Sequence, residues 1–84
     1  MNNVVMREVT VGASYAPLNG VPLVCSVEIT TPSANAGAVY FQGDDGSDVP
    51  WEPGEWHPFR RVDLSKIRVK GTPGDKVSVI GGTW

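Results

Sequence analysis

The 84-residue chain carries seven Lys plus Arg against nine Asp plus Glu, a net charge of −2, with ten Gly, seven Pro and a single cysteine. That balance argues against a nucleic-acid binder, which presents a basic face; no apolar run is long enough to cross a bilayer; and a lone Cys25 rules out a disulfide within the chain. A domain this small buries only about 60–65% of its unfolded surface, and with no zinc-spaced His/Cys set to staple it, association as a homo-oligomer, dimer or trimer, is the expected support.

No window keeps an apolar stripe at helical spacing, and β-branched residues fill short pieces cut by Gly and Pro, so the chain reads as one all-β domain over residues 1–84. The expected architecture is a small β-sandwich, jelly-roll-like, or a partly open barrel, of about 6–8 short antiparallel strands. The N-terminus, Met1-Asn2-Asn3-Val4-Val5, lacks the basic start and apolar core of a signal peptide. The first strand is read at Val5–Val11, with Val9 and Val11 opposite Glu8 and Thr10. Pro17-Leu18-Asn19-Gly20 is a turn. Leu23–Thr30 is a strand with Val27 and Ile29 on the dry face, and Cys25 reads as a buried, reduced thiol. After a loop of small polar residues from Thr31 to Gly37, the apolar run Ala38–Gln42 predicts a strand buried on both faces.

Gly43–Asp48 is an acidic loop, and Val49-Pro50-Trp51 a short extended segment. Glu52-Pro53-Gly54-Glu55 and Thr72-Pro73-Gly74-Asp75 both fit type II turns, with Pro at the second position and Gly at the third. Between them, Trp56–Arg60 is a strand that Pro58 confines to an edge or bulge, and Asp63-Leu64-Ser65 reads as one helical turn. Ile67 and Val69, then Val77 and Val79, alternate with polar residues, which predicts a closing hairpin with its apolar face inward.

Catalytic chemistry has little to build on. His57 is the only histidine, it sits between Trp56 and Pro58, and no reading of the chain brings Ser47, Ser65 or Asp63 to it as a triad; no enzyme activity and no cofactor are expected. Asp44, Asp45 and Asp48 share a loop with a glycine bend, as calcium sites do, but lack the alternating spacing and distal Glu of an EF-hand. The tryptophans carry most information. Trp51 and Trp56 flank the Pro53-Gly54 turn, and Trp84 is the last residue. Three uses stay open: core, protein interface with Phe59 and Arg60 beside them, or a glycan platform of Trp51 and Trp56 with Asp48 and Glu55 bonding hydroxyls. Lys66, Arg68, Lys70 and Lys76, with Arg60 and Arg61 adjoining, are expected on one wet face, either as a guard against aggregation or as an electrostatic docking stripe.

The segments Thr10-Val11-Gly12, Ser33 to Tyr40, Pro53-Gly54-Glu55, Val62 to Ile67 and Gly71 to Gly82 together resemble small β-sandwich virion proteins of tailed bacteriophages, some of which are capsid decoration (cement) proteins. The chain departs from that pattern at the Gly43-Asp44-Asp45-Gly46 loop and at Trp51-Glu52. The resemblance implies a virion structural protein made in a bacterial cytoplasm, partnered by the major capsid protein or another virion protein. The alternative function is a glycan- or host-surface-binding module of a fibre or spike.

Overall fold

A computed structural model describes residues 3–83. Eight strands follow in order: β1 Asn3–Thr10, β2 Ala16–Pro17, β3 Val24–Thr30, β4 Val39–Gln42, β5 Val49–Trp51, β6 Trp56–Asp63, β7 Arg68–Lys70 and β8 Lys76–Thr83, with one 3-10 turn at Leu64–Lys66. They form two antiparallel four-stranded sheets, a front sheet β1-β8-β3-β6 and a back sheet β2-β7-β4-β5. The pairs β1–β8, β2–β7, β3–β6 and β4–β5 nest one inside the next. A long two-stranded ribbon with its tip at β4–β5 and its length folded over on itself gives this order, which is the jelly-roll topology.

Alternation builds the core between the sheets. Val5 and Val11, then Cys25, Val27 and Ile29, then Val77 and Val79 point inward from the front sheet; Val39, Phe41, Trp51 and Val69 answer them from the back. The Cys25 thiol is buried as expected, and burial pushes its pKa up, so the protonated, unreactive form dominates. Strand β4 differs from expectation. Val39 and Phe41 are buried, but Tyr40 stands on the outer face at 39% exposure, because the back sheet is covered on one side only.

The expected closing hairpin does not form. β7 belongs to the back sheet and β8 to the front, so the Thr72–Asp75 turn crosses from one sheet to the other. The turn itself is as read: Asp75 N–H donates to Thr72 O at 3.0 Å and Gly74 has φ +97°. The Glu52–Glu55 turn matches it, with Glu55 N–H on Glu52 O at 2.9 Å and Gly54 at φ +89°, and it too joins the two sheets, β5 to β6. The physical reason is turn hand. Two-residue hairpins take types I′ or II′, whose twist matches paired strands; a type II turn splays them. The same crossing splits the predicted basic stripe: Arg68 and Lys70 lie on the back sheet, while Lys76 and the neighbouring Arg60 and Arg61 lie on the front.

Buried polar groups pin these corners. Thr31, fully buried, donates its hydroxyl towards Glu52 O and Glu55 O at 2.8 and 3.0 Å. Asp75 accepts from Ala36 N–H and Gly37 N–H at 2.9 and 3.2 Å. Asn35 mimics a strand, donating to Lys76 O and accepting from Lys76 N–H. Edge strand β6 carries a bulge in which Ser26 faces both Arg60 and Arg61. Arg61 takes φ +50°, and its N–H donates to Ser26 Oγ at 3.1 Å. The extra residue lets Phe59 and Val62, three positions apart, both face the core.

Asp63 caps the 3-10 turn. Its Oδ1 accepts from Ser65 Oγ, Ser65 N–H and Leu23 N–H, which holds its carboxyl below the usual range, the Ser65 hydroxyl contributing most. A folded pKa below the unfolded value near 4 adds stability above that pH and loses it as pH falls. Asp45, Asp48 and Glu55 are shifted the same way. Thermal melting is therefore expected to be flat from about pH 7 to about pH 5 and to fall below about pH 4. Asp63→Asn is expected to melt lower at neutral pH and to show a shallower acid decline; an unchanged acid slope would remove Asp63 from this account.

Candidate functional site

The expected site residues do not share one location. Trp51 is 5% exposed and belongs to the core, stacked on Phe41 with centroids 3.8 Å apart and parallel to Phe59 at 6.3 Å. It is neither an interface anchor nor a sugar platform, because β5 turns its ring inward against β6. His57 packs edge-on against the same ring at 4.6 Å, and its Nε2 lies 2.7 Å from Glu55 Oε2. That contact, with a second one from Glu52 N–H, lowers the Glu55 pKa. His57 thus orders a corner of the sandwich. Trp84 lies outside the described residues.

Asp48 is also engaged. It accepts from the Tyr15 hydroxyl at 2.5 Å and from Gln42 Nε2 at 3.2 Å, beside Lys70, whose ammonium sits 4.8 Å above the Tyr15 ring. Burial and the Asp48 bond push the Tyr15 phenol up to about 12. This cluster lies on the back sheet, whereas Trp56 projects from the front sheet, so the four residues named for a glycan site do not converge. In the acidic loop, Asp45 accepts from Ser47 N–H, and Gly46 takes φ +77°. Asp45 is thus turned onto a local donor, as in a solvated turn, and Asp48 onto Tyr15 and Gln42. Among the described residues, no three or more His, Cys, Asp or Glu side chains gather closely enough to hold a metal ion.

What the fold does assemble is the outer face of the front sheet. Register places Met6, Ile80, Glu28 and Pro58 side by side across all four strands. The next row is Glu8, Ser78, Thr30 and Trp56, and the row on the other side holds Val4, Gly82 and Ser26. Val4, Met6, Ile80 and Trp56 are 68%, 71%, 54% and 54% exposed. Val4, Met6 and Ile80 make one apolar corner at β1 and β8; Trp56 and Pro58 make a second on β6, with Glu28 and Thr30 between them. Arg60 follows on the same strand, exposed. An open cleft of about 200 Å³, lined by Phe41, Val49, Trp51 and Phe59 among others, runs along the side where β5 meets β6.

Of the expected interface residues, Trp56 and Arg60 lie on this face, whereas Phe59 pairs with Val27 and turns inward against the core; Val4, Met6 and Ile80 were missed. The signal was there. Once Glu8 and Thr10 mark the wet face of β1, Val4 and Met6 share its parity; once Val77 and Val79 mark the dry face of β8, Ile80 falls opposite. Apolar residues at wet positions are the informative exception. No family model, curated protein or solved structure matches the chain.

Proposed function

We propose that this protein is a structural component of a bacteriophage virion, a decoration protein that docks on the capsid through the outer face of its front sheet. The observation that carries the reading is the concentration of Val4, Met6, Ile80 and Trp56 on that face, each more than half exposed. Such patches mark sites of protein association. The segments that resemble phage virion proteins, and a topology used by viral capsid proteins as well as lectins, add support by analogy only, since a fold by itself assigns no function.

The mechanism needs no reacting group. Trp56 offers a large, rigid anchor beside Pro58, with the Arg60 charge at the rim. Glu28 and Thr30 between the two apolar corners supply polar contacts that would fix orientation. Repetition over a symmetric lattice of the major capsid protein converts modest single-site affinity into tight overall attachment.

The test is co-sedimentation of the purified protein with heads, together with its presence in purified particles. Wild-type protein is expected to pellet with heads and to raise their resistance to heat. Trp56→Ala is expected to weaken binding per site by about 2 kcal/mol, roughly 30-fold. A protein missing from particles and indifferent to heads overturns the proposal.

A further inference from the structure

The four edge strands of the sandwich are not alike. β2 has two residues and contains Pro17; β5 has three and contains Pro50; β6 contains Pro58 and the bulge at Arg60 and Arg61. Shortness, proline and bulges are the devices that stop a sheet edge from pairing with another chain. Strand β1 has none of them. It runs eight residues, its register with β8 is unbroken over eight pairs, and among the described residues no strand lies on its outer side.

Charge is the remaining guard, and it is confined to Arg7 and Glu8, outside the Asn3–Met6 half of the strand. Arg7 donates to Asn19 Oδ1 at 2.6 Å, and Glu8 lies 4.0 Å from Lys76, which in turn donates to Thr10 Oγ1. The edge therefore presents backbone groups flanked by Val4 and Met6.

We propose that β1 joins a second copy of this chain, antiparallel about a two-fold axis, into one continuous front sheet of twice four strands. Opposed residues in antiparallel strands share a face, so the two-fold must bring residues of equal parity together. Centring it on Val5 sets Val4 of each copy opposite Met6 of the other, with Ile80 of each behind Met6 in the same row. The Val4, Met6 and Ile80 corners of the two copies thereby meet side by side as one contiguous apolar cluster across the axis. Because the other three edges are blocked, the assembly closes at two copies and does not grow, as a two-fold interface requires. The self-contact also supplies the support that a core of this size lacks. The proposal goes beyond the virion reading and uses an edge which that reading does not need.

Sedimentation and light scattering over a concentration series are expected to give twice 9.0 kDa at high concentration and 9.0 kDa on dilution. V4K combined with M6K sets lysines opposite each other across the axis and is expected to weaken the dimer at least about 100-fold; Trp56→Ala, at the far edge, is expected to leave it unchanged. Wild-type amide exchange provides a check that does not depend on variants: β1 amides are expected to slow as concentration rises, β6 amides not. A monomer up to about 1 mM, a dimer whose β1 amides ignore concentration, or a β1 that is protected only on adding an extended segment of another protein would each overturn it. A monomer that still pellets with heads would overturn this inference and leave the virion reading intact.

Discussion

Trp51→Ala is expected to destabilise the fold by about 3–5 kcal/mol, the range for emptying a large aromatic site in a core. Three contacts go at once: the Phe41 stack at 3.8 Å, the parallel Phe59 ring and the His57 edge. These join the two sheets at the side where β5 and β6 meet, and that side already opens into a cleft. Trp56→Ala serves as the control. Its ring is 54% exposed on the outer face, so its loss is expected to shift stability by no more than about 0.5 kcal/mol. Urea titrations of both variants check this. Loss at Trp56 with little at Trp51 would reverse the roles given to the two rings, and with them the docking face. Because the tryptophans lie five positions apart around one turn, composition alone makes them look alike; the opposite outcome of two equal truncations is what distinguishes a core wedge from a surface anchor.

Much of the fold could be read from the residues, since one-sided burial writes a period of two. The strand read at Leu23–Thr30, the alternation from Lys76 to Val79, both Pro-Gly turns, a helical turn beginning near Leu64 and the edge position of Pro58 all follow from local chemistry. Strand order was the part out of reach. The pairing of β8 with β1, and of β3 with both β6 and β8, rests on contacts far apart in sequence, and the segment between two Pro-Gly turns reads equally well as a hairpin arm. The turn type held the missing clue, because a type II corner favours a change of sheet over a hairpin. The candidate site was half legible for the same reason. Trp56 and Pro58 announce themselves by residue type, while Val4, Met6 and Ile80 become visible only once the dry face of each strand is known. Phe59 and Val62 break parity through the bulge, which sequence spacing presents as an inconsistency and the left-handed Arg61 resolves.

Gly81→Ala is expected to be the most damaging single-methyl change in the chain, costing about 4 kcal/mol or more, at the extreme of point-mutant effects. A Cβ at Gly81 would stand 2.0 Å from Ser26 O and 2.7 Å from Val27 Cα. Both are backbone atoms of β3, so no side chain can swing aside. Gly81 pairs with Val5 on one side and with Val27 on the other, and Ser26 is held against β6 by the Arg61 N–H at the bulge. Relief therefore requires β3 to move away from β8, breaking the ladder between the two central strands of the front sheet. A domain of this size holds only a few kcal/mol in reserve, and the variant is expected to be largely unfolded at 25 °C by circular dichroism. Gly43→Ala provides the contrast: a Cβ there meets nothing within 4 Å, and the substitution is expected to be neutral within about 0.5 kcal/mol. If Gly81→Ala instead melts near the wild type, the close approach of β3 to β8 is wrong. The continuous register across the front sheet, on which the docking face and the β1 edge both depend, would have to be redrawn.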